Sequence, residues 1–416
     1  MGGALLGLAA IGAGAYFLVD SLGGNSEEAP PGPAPRVVIQ RQPEQQPEAA
    51  QDLGFPEFAT KNTTRVSGVD PVADAAGVAL AVFPSTGGVE GPAAVTLVRS
   101  DDWPGGIAAA SLVAAPVSAP ILVTGTDTIP ALTTDALRAL APSGSAETGG
   151  KQVFRIGSAP SLAGVRTEHV TGSNAAKVAA AIDELRSKLT GDQPKHVLLA
   201  SSDKPEFAMP AAAWAARSGD PVLFLQKASA PKPTLDALER HEGVPAYVLG
   251  PPSVISDKAV QAVSKVSPGV TRIGAEDPVQ NAIAFARCIP CGDFGWDIND
   301  PGHGFVIASD TRALDAAAAA PLSASGDWGP LLLTDTPDDV PAALRGYLLD
   351  VKPGYLDDPT RAVYNHIWLI GDQDAISTGF QAQVDDLAEV AQVSSGISTK
   401  TVGPPGTPEP STPKKP

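Results

Sequence analysis

Basic and aromatic residues are scarce in this chain of 416 residues. Lys and Arg number 29 against 46 Asp and Glu, which gives a formal net charge of −17. Non-specific binding to nucleic acid or to anionic lipid requires clustered Lys and Arg, so the balance disfavours both and is typical of a solubilising surface. Aromatic residues make up only 5% of the chain, whereas hydrophobic residues make up 43%. We therefore expect cores built mainly from Ala, Val, Leu and Ile.

Motifs of common enzymes are also missing. The sequence has no G-x-S-x-G elbow, no H-E-x-x-H zinc motif and no G-x-x-x-x-G-K-[ST] phosphate loop. Its five histidines are scattered along the chain. These absences favour a non-enzymatic protein, and we expect no catalytic residue.

A short apolar segment opens the chain. Gly2–Val19 carries no charge and has about the minimum length that a helix needs to cross the hydrocarbon core of a bilayer. The small residues Ala13-Gly14-Ala15 resemble a signal-peptide cleavage site, but the apolar run continues beyond them, which favours a retained anchor. A buried core helix is a third interpretation. Signal anchor and signal peptide both export the rest of the chain, so we predict an extracytoplasmic protein with residues 1–22 as this segment.

Proline-rich segments flank the central part of the chain. Residues 23–58 are rich in Pro, Gln and Glu and predict a disordered, extended tether. Residues 395–416 predict a similar Pro-rich tail. Neither segment has enough apolar surface to form a core, so the folded part is expected between them.

The central part repeats one pattern three times. Each copy has a strand ending in a polar turn, an Ala-rich helix and a strand led by Pro; the copies are Val95–Thr124, Val197–Gln226 and Phe305–Asp335. Their starts lie about 100 residues apart, and such internal repetition indicates repeated structural units. Because continuous apolar strands alternate with helices, the pattern predicts parallel sheets covered on both faces.

A further strand and a capped helix open each unit. The strands end on glycine at Arg65–Gly68, His169–Gly172 and Arg272–Gly274. An Asp, Ser or Asn that suits a helix N-cap follows each of them. The complete pattern, over Lys61–Val393, resembles the cell wall-binding repeat 2 family.

This resemblance implies an α/β fold of three tandem small parallel-sheet domains, Toprim-like or doubly wound, in a pseudo-threefold arrangement after the N-terminal helix. We place the first repeat at 59–166, the second at 167–268 and the third, with a cysteine-containing insert, at 269–394. The resemblance also implies non-covalent binding to an anionic polymer of a Gram-positive cell wall, such as a polysaccharide or a teichoic-type polymer. The chain departs from the family in its acidic balance and its shortage of Lys, so another envelope protein is an alternative partner.

Acidic turns follow the three central strands. Asp101, Asp203 and Asp310 are predicted to lie at the carboxyl ends of parallel strands, where ligands bind in open α/β sheets. A divalent cation such as calcium, held by these carboxylates, would bridge the protein to polymer phosphate. The alternative is that they cap the following helices. We expect no other cofactor and no permanent metal site.

Basic side chains on the opening strands are further candidates. Arg65 and Arg272 occupy equivalent positions, and His169 lies near the corresponding position of the second unit. A guanidinium group binds phosphate or carboxylate in a bidentate manner. The alternative is a pair with an Asp or Glu of the protein itself. With the three acidic turns, these residues are our candidate polymer-binding set.

Cys288 and Cys291 are the only cysteines of the chain. In an exported protein this short spacing predicts a disulfide within the insert of the third repeat. A redox-active dithiol is the alternative interpretation. Gly292 follows the second cysteine, so the pair does not form a haem-attachment motif.

Three hypotheses of function follow from these observations. The first is a non-catalytic protein of the cell wall or the outer face of the plasma membrane, which binds wall polymer through three weak sites that reinforce one another by effective concentration. The second is a protein-interaction scaffold, or a subunit of a cell-surface assembly, with the same fold. The third is a metal-dependent hydrolase of wall polymer that acts through the acidic turns.

Overall fold

The computed structural model describes residues 59–83, 91–288, 293–324 and 328–393. The strands of this part of the chain are β1 (Thr63–Val66), β2 (Val95–Arg99), β3 (Ile121–Thr124), β4 (Val153–Ile156), β5 (Thr167–Val170), β6 (Val197–Ser201), β7 (Val222–Leu225), β8 (Ala246–Leu249), β9 (Val270–Ile273), β10 (Gly304–Ser309), β11 (Trp328–Thr334), β12 (Gly354–Tyr355), β13 (His366–Ile370) and β14 (Ala391–Gln392). The α-helices are α1 (Pro71–Val82), α2 (Trp103–Ala109), α3 (Ala131–Leu140), α4 (Ala175–Thr190), α5 (Pro205–Ala208), α6 (Pro210–Ser218), α7 (Lys232–Arg240), α8 (Asp257–Val263), α9 (Pro278–Arg287), α10 (Asp315–Ser323), α11 (Ala342–Asp350) and α12 (Thr378–Ala388). Short 3₁₀ helices lie at Ala110–Leu112 and Pro359–Arg361.

Three four-stranded parallel sheets organise these elements. Their strand orders are β3-β2-β4-β5, β7-β6-β8-β9 and β11-β10-β13-β1, so the same arrangement occurs three times. A two-stranded parallel pair, β12-β14, accompanies the third sheet. The prediction of several small parallel α/β sheets is confirmed. The Toprim-like description stays a prediction.

The fourth strand of each sheet comes from another repeat, which for the first two sheets is the repeat that follows in sequence. β5 opens the second predicted repeat but pairs with β4 of the first, and β9 opens the third but pairs with β8 of the second. β1, from the first repeat, pairs with β13 of the third and so closes the series. The sheets therefore do not coincide with the predicted repeat boundaries, and the boundaries themselves stay a prediction.

The helix after each exchanged strand covers the next sheet. α1 packs against β3, α4 against β7 and α9 against β11. The predicted caps are present: the carboxylate of Asp70 accepts from the amides of Val72 and Ala73, and Asn174 and Asp277 cap α4 and α9 in the same way. Each strand–glycine–helix segment thus joins two neighbouring sheets, which makes the three sheets mutually dependent.

Alanine-rich helices form the contact between the repeats. Every residue of α10 is buried, and this helix packs against both α1 and α6. α6 in turn packs against the 3₁₀ helix at Ala110–Leu112 of the first repeat. Small side chains allow helices to approach closely and fill the interior at normal density, which explains how the chain builds a core with few aromatic residues.

Three predictions for the ends of the chain fall outside the described residues. These are the signal segment at 1–22, the tether at 23–58 and the tail at 395–416. Within the described part of the chain, no helix has the length and apolar character needed to cross a membrane.

Candidate functional site

The predicted polymer-binding arginine of the first repeat lies inside the protein. Arg65 on β1 has no exposed surface. Its guanidinium donates hydrogen bonds to the side-chain oxygen of Gln381 (3.0 Å) and to the carbonyl oxygens of Gly371 (2.9 Å), Asp372 (3.0 Å) and Ser377 (3.2 Å). A polymer cannot reach a buried guanidinium, so the structure corrects the expected role of Arg65 to a structural one.

The equivalent basic residues make the same contact in the other two sheets. Arg272 on β9 donates to the carbonyl oxygen of Gly250 (2.7 Å) and to that of Ile255 (2.8 Å). His169 on β5 hydrogen-bonds through Nε2 to the carbonyl oxygen of Gly157 (2.8 Å). Gly157, Gly250 and Gly371 each follow the strand next to the exchanged one, and all three have positive φ angles. The three basic side chains therefore occupy equivalent positions, because each binds the carbonyl oxygen of the glycine that follows the neighbouring strand.

We call these three contacts the strand clamps: Arg65 to Gly371, His169 to Gly157 and Arg272 to Gly250. Each holds the first strand of one repeat in the sheet of another repeat. Arg272 keeps 22% of its side chain exposed and lies 3.3 Å from Asp257, which matches the predicted alternative of a carboxylate of the protein itself. Polymer binding by Arg272 and His169 stays a prediction, but the clamps occupy their polar groups.

The acidic turns have partners within the protein. Asp101 binds the guanidinium of Arg99, and this hydrogen bond lowers the pKa of Asp101. Asp203 accepts from the backbone amide of Lys227 (3.0 Å) and from the hydroxyl of Ser202 (3.0 Å). The cap of α2 is Asp102 rather than Asp101. Neither predicted residue caps its helix in this arrangement.

Asp310 is offset by one position from the other two acidic residues. Its backbone amide donates a hydrogen bond to the carbonyl oxygen of Thr334, the last residue of β11. The amides of Ser100 and Ser202 donate in the same way to the last residues of β3 and β7. Asp310 is therefore equivalent to these serines and not to Asp101 or Asp203. The three carboxylates do not occupy equivalent positions.

The surroundings of Asp310 are acidic. Burial, followed by repulsion from Asp335, Glu206 and Asp277, raises the pKa of Asp310. Even so, within the described ranges no three or more carboxylate, imidazole or thiol groups are placed to hold a metal ion. The suggested calcium bridge therefore has no preformed ligand set in this part of the protein.

An ionic cluster that sequence reasoning missed joins the first and third repeats. Arg312, which follows β10, donates to the carboxylate of Asp74 on α1, and its Nε lies 2.7 Å from Asp315 Oδ2. Both carboxylates are fully buried. Burial and repulsion from Asp315 raise the pKa of Asp74 well above its ordinary value, and burial raises the pKa of Asp315 to about 7. The contact between these repeats therefore contains a group that titrates near neutral pH.

A cavity of about 660 Å³ lies at the amino ends of β6 and β7, the opposite edge from the predicted acidic turns. Ala115 and Pro116 contribute from the first predicted repeat and Asp293 from the insert of the third. α4, α6 and the loop at 192–196 supply most of the remaining wall. The cavity therefore exists only where parts of all three repeats meet. The repeated motifs gave no signal for it, because its wall combines segments of different repeats that meet only in the folded chain.

A buried histidine between two aspartates forms one wall of this cavity. His196 lies 3.2 Å from Asp220 through Nδ1 and 2.9 Å from Asp293 through Nε2. Burial opposes protonation of the imidazole, but the hydrogen bonds to the two carboxylates outweigh it and raise the pKa of His196. Phe294, next to Asp293, stacks on Tyr247 with ring centroids 3.7 Å apart. The insert of the third repeat is thus held on the second repeat by an ionic contact and by aromatic contacts, which also include Phe294 and Trp296 against Trp214.

Cys288 follows the last residue of α9. Cys291 lies outside the described residues, and the predicted disulfide between the two therefore stays a prediction.

The triplicated parallel α/β body defines a class of repeat protein, and known proteins share parts of it. Residues 169–260 match the family model of Cell wall binding domain 2, CWB2. The predicted resemblance to the cell wall-binding repeat 2 family is thereby confirmed. No curated protein matches the chain by sequence.

Two solved structures have a similar fold. They are Cwp6 from Clostridium difficile, with a TM-score of 0.61 at 18% identity, and Cwp8 from Clostridium difficile, with a TM-score of 0.61 at 19% identity. Each similarity covers 79% of this chain, but only 48% of Cwp6 and 52% of Cwp8. The chain thus spans about half the length of these proteins. At such low identity, the likeness establishes the fold alone.

Proposed function

We propose that this chain is a non-catalytic protein of the cell envelope that binds an anionic cell-wall polymer without a covalent bond. The observation that carries the proposal is the match of residues 169–260 to the CWB2 family, within a body that repeats the same sheet three times. A cell-wall or surface location follows from the same match. The polymer, whether a polysaccharide or a teichoic-type chain, is a proposal by resemblance.

The architecture supports this function in a specific way. Exchanged strands and the strand clamps fix the three sheets relative to one another, so weak sites on different repeats keep a constant spacing. A polymer with a repeating unit can then engage several sites at once, and the second contact forms at a high effective concentration. Arg65 and the groups that accept its hydrogen bonds are buried or bonded within the protein, so we expect other residues to contact the polymer.

Co-sedimentation with purified Gram-positive cell walls tests the proposal. The full chain is mixed with intact walls and with walls from which acid has removed the secondary polymers. We expect the protein to sediment with the intact walls and to stay in solution with the stripped walls. Equal sedimentation with both would contradict polymer binding.

A protein-interaction scaffold is the second candidate, and exposed apolar side chains favour it. Leu356, Tyr364 and Val393, in and around the β12-β14 pair, are each more than half exposed. A protein partner would cover such side chains, whereas a hydrophilic polymer gains little from them. Failure to bind either wall preparation, together with a crosslinked protein partner in intact cells, would favour the scaffold over the adhesin.

A further inference from the structure

We propose that the cavity at the amino ends of β6 and β7 binds an oxyanion, the phosphate or carboxylate group of a saccharide polymer. The inference rests on the proposed function for the source of the ligand, and on the charges that line the cavity for its chemistry. It places a polymer contact on the opposite edge of the second sheet from the acidic turns.

Arg186 supplies the first argument. This side chain of α4 is half-buried in the cavity wall and donates to the carbonyl oxygens of Ala115 (3.0 Å) and Ala114 (3.4 Å). Among the described residues, no carboxylate lies within ion-pair distance of its guanidinium. Burial lowers the pKa of Arg186, and the charge of Asp220, beyond ion-pair distance, opposes this shift only in part. A cation that is partly removed from water and makes no ion pair provides a favourable place for an anionic ligand.

The backbone around Arg186 is arranged to admit its guanidinium. Gly219, at the end of α6, has a φ angle of 78° and lies directly against it. A Cβ atom at this position would be 1.9 Å from Nη2 of Arg186. The two carbonyl oxygens on one side and this glycine on the other hold the guanidinium in place, so little entropy is lost when a ligand binds it.

Hydrogen bonds already engage three of the four acidic side chains of the wall, Asp183, Asp220 and Asp293. Asp220 accepts from the backbone amides of Lys195 and His196, from the imidazole of His196 and from the indole of Trp214. Asp183 binds His241 and lies 3.0 Å from Arg240.

Asp293 binds the other nitrogen of His196. The exposed carboxylate of Asp192 is the remaining acid of the lining, and its negative charge at the rim would repel an anionic ligand.

Lys195 supplies the second cation. It is exposed at the cavity, and in the described part of the structure its ammonium group makes no ion pair. With Arg186 it forms a pair of cations at one cavity, while the negative charges beside them are held by hydrogen bonds. A phosphodiester or a uronate would meet one planar and one point charge, which is a common arrangement for oxyanions.

Site-resolved acetylation tests the inference. The full chain is treated with an amine-reactive acetylating reagent at constant ionic strength, with and without glycerol phosphate or glucuronate, and the modification of each lysine is measured by mass spectrometry. We expect either oxyanion to slow acetylation of Lys195. Lys188, on α4 with Arg186 but outside the cavity lining, is the internal control and should react at an unchanged rate. The preferred probe distinguishes a phosphate from a carboxylate ligand.

Two variants make the result specific. In Arg186→Gln, the oxyanion concentration needed to protect Lys195 by half should rise about tenfold, because a charge-assisted hydrogen bond is lost. Lys195→Ala changes an exposed side chain that is not required for folding, and it should lower retention on intact walls severalfold, whereas Lys188→Ala should not.

The outcomes separate this site from the proposed function. Wall binding that is unchanged in both cavity variants, with no protection of Lys195 by either probe, would overturn the site and leave the adhesin intact. Protection of Lys195 in a protein that binds no wall would support the site and contradict the adhesin. Equal protection of Lys195 and Lys188 would show general screening and would also overturn the site.

Discussion

Replacement of Arg65 by Met should unfold or strongly destabilise the protein, although the change lies on an edge strand. Met keeps most of the aliphatic stem but removes every hydrogen-bond donor of the guanidinium. Four acceptors would lose this donor: the side-chain oxygen of Gln381 and the carbonyl oxygens of Gly371, Asp372 and Ser377. The carbonyl oxygens of Asp372 and Ser377 keep backbone amide donors, so the loss falls mainly on the other two acceptors. The damage should concentrate where β1 closes the third sheet.

The magnitude follows from the burial of these acceptors. A buried polar group without a partner costs about 1–3 kcal/mol, so even two unsatisfied acceptors give a loss of about 2–6 kcal/mol. Since single domains are commonly stable by about 5–15 kcal/mol, this loss is a large fraction of the total. Arg272→Met should cost less, because Arg272 keeps 22% of its side chain exposed and water can replace part of its bonding.

Urea unfolding and hydrogen exchange measure the effect together. The free energy of unfolding should fall in the order wild type, Arg272→Met, Arg65→Met, and the amides of β1 and β13 should lose protection first in the last variant. Lys61→Ala, which removes an exposed ion pair next to β1, is the control and should leave the free energy of unfolding close to that of the wild type. Equal stability of Arg65→Met and the Lys61 control would show that the contacts of Arg65 do not stabilise the sheet.

Three further changes test other parts of the account. The pKa of Asp315 is raised to about 7, so the folded state holds a proton that the unfolded state loses near pH 4, and stability should fall as pH rises through this interval. Asp315→Asn should reduce the difference in unfolding free energy between pH 5 and pH 8 by roughly 2–4 kcal/mol, and an unchanged difference would exclude this source. The pKa of His196 is also raised, so its stabilising pairs should be complete below about pH 6.5 and lost above its folded value; His196→Gln should lack that step in urea titrations. Leu122→Asp should abolish cooperative unfolding, because Leu122 is fully buried in β3, whereas Leu349→Asp, at a position 51% exposed, should remain folded.

Local features of the fold could be predicted from the sequence. The continuous apolar runs became the central and Pro-led strands β2, β3, β6, β7, β10 and β11 of the three sheets. The capping residues Asp70, Asn174 and Asp277 occupy the positions expected from their side chains. These signals are local, and hydrogen bonding within a few residues determines them.

Long-range relations could not be predicted in the same way. The glycine and the capped helix that follow β1 indicate a strand but not that its partner is β13, which lies about 300 residues later in the chain. The same limit explains the error for Arg65, because an arginine that meets carbonyl groups of a distant repeat looks like an exposed one in sequence. A basic residue recurs at the same place in the three exchanged strands. This recurrence was the one feature of the sequence that could have indicated a shared structural contact. Asp310 was misaligned because a polar turn tolerates an offset of one residue.

Direct titration of the wall polymer tests the central claim, that this module is a polymer adhesin. The polymer released from walls by acid is purified and titrated into the full chain by calorimetry, and the same polymer is used to displace the protein from intact walls. The account predicts saturable binding that weakens at high salt and matches the displacement curve. No heat of binding, together with no displacement by excess polymer, would contradict it.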